Sequence, residues 1–127
     1  ETGGSVTLTD SVEEACTGAD IIYTDIWVSM GEPFDIWGER IRLLSPYQVN
    51  AQAMAFAKPE AIFLHCLPSY HDAKTKVGAQ ILEQFGIAEM EVTDAVFESA
   101  QSKVFDQAEN RMHSIKAIMY ATLAADK

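Results

Sequence analysis

The chain has 127 residues, 48% of them hydrophobic, and a formal net charge of −10, which suits one domain with a modest core. This negative charge argues against a nucleic-acid or anionic-membrane surface, and no stretch is apolar enough to predict a transmembrane helix. A small anionic ligand is not excluded, because a few arginines or helix N-termini can bind one. The two cysteines show no metal-type spacing, which argues against a disulfide framework and indicates a reducing, cytoplasmic compartment.

The first half of the chain alternates strand and helix patterns. Its opening, ETGGSVTL, is typical of a helix end followed by a strand. We therefore expect the chain to begin within a βα unit of a longer protein. The predicted elements are a strand over 6–9, a helix from a Thr9 or Asp10 cap to Cys16, a strand over 19–25, and helices over 34–44 and 47–57.

The second half continues this alternation. Its predicted elements are a strand over 61–65, a helix over 74–85 that ends at Gly86, a short strand over 90–92, a helical turn over 94–99 and a helix over 110–125. The pattern predicts an α/β fold with a mostly parallel sheet flanked by helices. Ligands of such sheets bind beyond the carboxyl ends of the strands. The residues after strands 19–25 and 61–65 should therefore face one crevice.

Asp25 and the loop after it form the first candidate site. A carboxylate at a strand end can bind a substrate ammonium group, although an Asx-turn is the more frequent role there. Ser29, Met30 and Gly31 follow. They offer a hydroxyl, exposed backbone amides and a pliable apolar wall to a small polar ligand. An ordinary βα loop explains them equally well.

The second candidate is the sequence FLHCLPS, in which an apolar strand ends at His65 and Cys66. Pro68 forces a turn that leaves the carbonyl groups of Cys66 and Leu67 free to accept from a ligand amine. Positive charge near the Cys66 thiol would raise its thiolate fraction. The alternatives are that Cys66 is a small buried hydrophobe, and that His65 packs or bonds to backbone.

Arg111 lies on a predicted helix face that it shares with apolar residues, so it should have a partner. A bidentate anion fits the guanidinium fork, and a protein carboxylate is equally plausible. The candidate carboxylates are Asp25, Asp106 and Glu109. The acidic residues elsewhere are expected on solvated helix faces, and Trp27 and Trp37 are expected in the core.

Five ordered blocks, DIWVSMGE, YQVN, FLHCLP, EVTDAVFES and VFDQAENRMHSIKAIMYATL, together resemble the ornithine carbamoyltransferase family over essentially the whole chain. Aspartate carbamoyltransferases have proline in place of Cys66, and putrescine-specific relatives depart from SMG. The resemblance implies an N-terminally truncated, Rossmann-like half of such an enzyme. Residues 1–108 would be part of the ornithine-binding domain. Residues 109–127 would be a C-terminal helix that packs on the missing carbamoyl-phosphate domain.

The implied reaction transfers the carbamoyl group from carbamoyl phosphate to the δ-amine of L-ornithine, giving L-citrulline and phosphate. No metal or organic cofactor is implied, and the parent protein would be a homo-oligomer built from trimers. The implied contacts are Asp25, Ser29 and Met30 for ornithine, and Cys66, Leu67 and Arg111 for carbamoyl phosphate, with Asp25, Cys66 and Arg111 as the catalytic residues.

The phosphate-binding motif of the family, Ser-Thr-Arg-Thr, is not found in this sequence. We therefore expect the chain alone to lack turnover. Two alternatives stay open. One is a non-catalytic amino-acid-binding or regulatory module, and the other is a carbamoyltransferase that acts on a different amine.

Overall fold

A computed structural model describes residues 3–29 and 31–124 of the chain. The strands are β1 (Ile21–Thr24) and β2 (Ile62–His65). The helices are α1 (Val12–Cys16), α2 (Trp37–Leu44), α3 (Ala51–Phe56), α4 (Lys76–Phe85), α5 (Asp94–Phe97) and α6 (Val104–Leu123). Short 3₁₀ turns, Phe34–Ile36 and Ser45–Tyr47, flank α2. The predicted α/β alternation is confirmed.

The sheet is parallel, as predicted. β1 pairs with β2 in a register that runs from Ile21 opposite Ile62 to Thr24 opposite His65. Residues 101–103 extend the other edge of β2, where the Phe63 N–H donates to the Gln101 carbonyl and the Phe63 carbonyl accepts from the Lys103 N–H, both at 2.9 Å. Because β1 and β2 run in the same direction, the residues that follow Thr24 and His65 come together at the carboxyl end of the sheet.

Two apolar clusters form the core. The first surrounds the fully buried Phe63 of β2 and includes Ile22 of β1, with side chains from α1, α3 and α5. The second joins Trp27, Trp37 and Ile81, so the predicted packing of both tryptophans is confirmed. In contrast, α6 buries only Val104. None of the helices in the described ranges has the length and hydropathy that a bilayer crossing requires.

The N-terminal predictions need correction. Residues 6–9 form no strand, and the side chains of Val6 and Leu8 are 89% and 93% exposed. A strand forms only where its backbone finds hydrogen-bonding partners, and no described segment pairs with this one. Neither predicted residue caps α1. The Ser11 hydroxyl accepts from the Glu14 N–H at 3.2 Å, while the Thr9 hydroxyl donates to the Glu14 carboxylate at 2.7 Å.

Further corrections concern element boundaries. Residues 90–92 contribute a single bridge, between Val49 and Val92, rather than a strand. α3 begins at Ala51, since the Asn50 side chain accepts from two backbone N–H groups of its first turn. α6 begins at Val104 instead of residue 110, because burial of Val104 and the bond between Lys103 and Phe63 anchor its first turn to β2. The predicted end at residue 125 lies outside the described residues.

Candidate functional site

Asp25 and Cys66 each follow the last residue of a strand, and the parallel register places them side by side. The Cys66 thiol donates to Asp25 Oδ1 across 2.6 Å. The Ile26 N–H donates to the same oxygen at 2.7 Å. Asp25 therefore combines a local backbone contact with a contact to the second candidate site. The sequence had offered the local contact as the alternative to binding a substrate ammonium group.

The protonation states of the pair follow from this geometry. The thiol hydrogen bond, followed by the Ile26 amide, lowers the pKa of Asp25 below its ordinary value. Burial, and then the Asp25 carboxylate, raises the pKa of the Cys66 thiol. At neutral pH the carboxylate is ionised and the thiol is protonated. The charge beside Cys66 is thus negative. It disfavours the thiolate, whereas a neighbouring cation would favour it.

A cleft of about 340 Å³ opens between the carboxyl end of β2 and α6. Its lining consists of Tyr23, His65, Cys66, Leu67, Gln107, Ala108 and Arg111. Gln107, Ala108 and Arg111 lie on one helix face. Across residues 3–29 and 31–124, no carboxylate forms an ion pair with Arg111. Its guanidinium group can therefore meet an anion or a polarised carbonyl oxygen in the cleft.

The cleft brings together some of the predicted site residues. Cys66, Leu67 and Arg111 line it directly, and Asp25 contacts it through the thiol. Ser29 lies in the exposed loop after β1 and is not among the described lining residues. Its backbone N–H donates to the Glu32 carboxylate at 2.6 Å. Met30 lies outside the described residues.

A buried histidine next to Cys66 lies beside a buried glutamate, and neither was predicted as a functional residue. His65 is 1% exposed and Glu91 is fully buried. His65 Nδ1 contacts the Cys66 carbonyl oxygen, and Nε2 lies 3.4 Å from Glu91 Oε1 without forming a hydrogen bond to it. Glu91 also accepts from the Tyr70 N–H at 2.6 Å and the Ser69 hydroxyl at 3.1 Å. The expectation of solvated acidic residues is therefore wrong for Glu91.

The sequence contained a signal for Glu91. It stands between Met90 and Val92 in a short apolar run, and a carboxylate in such a run needs buried partners. The segment FLHCLPSY supplies those partners. It lies more than twenty residues earlier in the chain, so the sequence alone does not show that the two segments are in contact. The pair fixes the backbone that carries Cys66 and Leu67.

A separate cluster of possible metal ligands lies outside the cleft. His71, Asp94 and Glu98 each offer one ligand atom, and these atoms lie within 4.8 Å of one another. His71 Nδ1 lies 2.8 Å from Asp94 Oδ1, and the ring stacks on Phe97. Lys74 is close enough to be affected by these carboxylates, because Asp72 first and then Asp94 raise its pKa. The contact of His71 with Asp94 and its stacking on Phe97 account for the position of the ring without a metal.

The fold and this site define a class of protein. Cys66 and Arg111 line one cleft beyond the carboxyl ends of the parallel strands, and Asp25 contacts Cys66 there. The family described as "Aspartate/ornithine carbamoyltransferase, Asp/Orn binding domain" matches residues 1–122, and the chain belongs to this family.

Individual relatives narrow the comparison. The catabolic ornithine carbamoyltransferase of Treponema denticola is 65% identical over 123 residues, which cover 97% of this chain and 36% of that protein. The solved ornithine carbamoyltransferase of Pyrococcus furiosus is 39% identical with a TM-score of 0.66, over 86% of this chain and 29% of that one. The solved ornithine transcarbamoylase of Giardia lamblia is 29% identical with a TM-score of 0.71, over 93% of this chain and 31% of that one. The chain spans about a third of the length of these relatives.

Proposed function

We propose that this chain supplies the amino-acid-binding half of an ornithine carbamoyltransferase. The complete protein would transfer the carbamoyl group of carbamoyl phosphate to the δ-amine of L-ornithine, giving L-citrulline and phosphate. The observation that carries this proposal is the hydrogen bond between Cys66 and Asp25 beside the cleft that Arg111 lines. The names of the relatives supply the reaction.

The amino-acid end of ornithine is assigned to the end of β1. Asp25, which is ionised at neutral pH and whose lowered pKa extends that state to more acidic conditions, binds the α-ammonium group. The hydroxyl of Ser29 and the backbone of Met30 hold the same end of the substrate. Since Ser29 stands outside the cleft lining, this assignment requires its loop to approach the cleft when ornithine binds.

The δ-amine is assigned to the end of β2. It has to be neutral to attack, and its N–H groups donate to the Leu67 carbonyl and the Cys66 sulfur, so that its lone pair faces the carbamoyl carbon. This orientation replaces a bimolecular encounter with a fixed geometry. The raised pKa of Cys66 keeps its thiol protonated, which fits an orienting group and not a covalent nucleophile.

Arg111 is assigned to the transition state. A C–N bond forms as the δ-nitrogen attacks, and the carbonyl electron pair moves onto the carbamoyl oxygen. The guanidinium group stabilises this oxyanion, a contribution typically worth about 10²- to 10³-fold in rate. Collapse then breaks the bond to the phosphate oxygen. Phosphate leaves with the electron pair and takes the proton that the nitrogen releases.

The remaining assignments concern assembly. Residues 1–108 form part of the ornithine-binding domain, and residues 109–127 carry a helix for the carbamoyl-phosphate half. Apolar side chains on α6 are more than half exposed in this chain, among them Met112, Ile118, Met119, Tyr120 and Leu123. Burying them against the rest of the protein removes an unusual exposed patch. The complete protein would be a homo-oligomer built from trimers, and the two free cysteines of this chain suit the cytoplasm.

Citrulline formation tests the proposal. The complete protein should convert ornithine in the presence of carbamoyl phosphate, and the 127-residue chain alone should form no citrulline. Putrescine and N-acetylornithine, tested at the same concentration, should react far more slowly, and faster turnover of either would reassign the acceptor. Calorimetric binding of ornithine by this chain alone, with no carbamoyl transfer by the complete protein, would support the non-catalytic module.

A further inference from the structure

Gln107 is a cleft residue to which the sequence resemblance assigned no role. We propose that it is a positioning residue whose side chain fixes the distance between Arg111 on α6 and Cys66 at the end of β2. This inference rests on the proposed function, because it concerns how the same cleft is held ready for the carbamoyl group.

Gln107 supplies a hydrogen-bond acceptor on the edge of β2 that faces residues 101–103. Phe63 exchanges two backbone hydrogen bonds with residues 101–103. The chain then turns into α6, and the next N–H on that edge of β2, that of His65, would lack a partner. Gln107 Oε1 accepts from it at 3.1 Å. A helix side chain thus takes the place of a third strand at the last residue before Cys66.

The spacing along α6 makes this bond relevant to Arg111. Gln107 and Arg111 are four residues apart, so they lie one above the other on the same helix face. Both line the cleft together with Cys66. The hydrogen bond between Gln107 and the His65 N–H, next to Cys66, therefore fixes the position of the following helix turn, which carries Arg111.

Other contacts do little to hold this part of the helix. Val104 is the buried residue of α6. Within the described ranges, no hydrogen bond or ion pair further along the helix than that of Gln107 reaches another element of the fold, since the later ones join residues of α6 itself. Without the Gln107 bond, the helix could tilt about its first turn and carry Arg111 away from the cleft.

Three variants of the complete protein test this role. Gln107→Leu removes the acceptor at similar volume, and Gln107→Glu keeps an oxygen that accepts from the His65 N–H. Gln101→Leu is the matched control. Its side chain donates to the Ala61 carbonyl at 2.9 Å, at the opposite end of β2 and outside the cleft lining. Two quantities are measured: hydrogen exchange of the His65 amide, by mass spectrometry with single-residue fragmentation, and the kinetic constants for citrulline formation.

In Gln107→Leu, we expect exchange at His65 to accelerate about tenfold or more, as expected when a local hydrogen bond is lost. We expect kcat to fall about ten- to hundredfold, because small misplacements of a catalytic group are costly, while KM for ornithine changes less than about twofold, since Asp25 holds that substrate. In Gln107→Glu, exchange at His65 should stay within about threefold of wild type, because the side-chain acceptor is kept. Gln101→Leu should leave both readouts near wild type.

Equal His65 exchange in wild type and Gln107→Leu would overturn the inference, and so would equal kcat values for Gln107→Leu and Gln101→Leu. Exchange at His65 that is as fast in Gln107→Glu as in Gln107→Leu would also refute it, because the side-chain acceptor would then not be what holds this N–H group. The exchange measurement does not depend on activity. A wild-type protein that forms no citrulline would instead refute the proposed function, so the two failures are distinguishable.

Discussion

Asp25 and Cys66 are neighbours because Thr24 is paired with His65 in the parallel sheet. Each residue is the first beyond its strand, and the thiol donates to the carboxylate across 2.6 Å. A slip of one residue between the strands would turn one of the two side chains to the other face of the sheet. The core residues Ile22 and Phe63, which sit opposite each other, hold that register, so packing of the core determines the geometry of the site.

Replacing Asp25 by asparagine should make the Cys66 thiol more acidic. The carboxylate contributes to the raised pKa of Cys66, and its removal lowers that pKa, although burial, the larger cause, remains. At pH 8 the thiolate fraction should therefore rise, and alkylation by iodoacetamide should accelerate about threefold or more. Mass spectrometry of a Cys16→Ala background between pH 7 and 10 measures the rate at Cys66 alone.

The control for this experiment is Asp35→Asn, which removes an exposed carboxylate that does not contact the thiol. It should leave the midpoint of the alkylation profile unchanged. If Asp25→Asn and Asp35→Asn give the same midpoint, the hydrogen bond between Cys66 and Asp25 does not form in solution.

Cys66→Ala in the complete protein should reduce kcat/KM about ten- to hundredfold, because the proposed mechanism uses the Cys66 sulfur to orient the δ-amine. The far-ultraviolet circular dichroism spectrum should stay the same, since Cys66 lies at the cleft and is not part of either core cluster. Cys16→Ala is the matched variant. Cys16 is buried in the first cluster, so its replacement should lower stability by about 1 kcal/mol with unchanged kinetics. Unaltered kinetics in Cys66→Ala would remove this thiol from the mechanism.

The sequence predicted the parts of the site that depend on local pattern. Apolar runs without alternation indicated buried parallel strands, and the rule that parallel strands end at one edge placed Asp25 beside Cys66. Helical spacing indicated that Arg111 shares a face with Ala108, and both line the cleft. Periodicity carries this information, because the backbone geometry of each element converts spacing into a face.

The features that the sequence did not reveal depend on partners distant along the chain. Residues 6–9 have strand-like composition, yet strand formation needs a neighbour that no composition reveals. Glu91 is buried because His65 and Tyr70 surround its carboxylate. Gln107 had no visible role until the start of α6 was known, since its acceptor function depends on the unpaired N–H group at the end of β2.

Arg111→Gln should lower kcat about 10²- to 10³-fold, because the guanidinium group is proposed to stabilise negative charge that exists only in the transition state. KM for ornithine should change little, since the proposal assigns binding of that substrate to Asp25. Steady-state kinetics of the complete protein provide the measurement. Lys116→Gln removes an exposed cation from a different face of α6 and should behave as wild type. Equal loss of kcat in both variants would point to net charge rather than a contact.

Glu91→Ala should destabilise the protein more than Cys16→Ala does. The carboxylate is fully buried and accepts from the Tyr70 N–H and the Ser69 hydroxyl, so its removal leaves two partly buried donors without an acceptor beside His65. A donor left without its acceptor in this way costs about 1–3 kcal/mol. Glu91→Gln keeps one carbonyl acceptor and should cost about half as much. The midpoint of urea unfolding of the complete protein, at constant slope, reports both values.

Glu83→Ala sets the scale for this series, because Glu83 is exposed on α4 and its loss should stay within about 0.5 kcal/mol. Activity provides an independent readout. Since Glu91 acts on the cleft through His65 and the Cys66 carbonyl, Glu91→Gln should lower kcat even at temperatures where the variant is fully folded. If Glu91→Ala proves as stable as Glu83→Ala, the carboxylate is solvated in solution and the buried support of Cys66 does not exist.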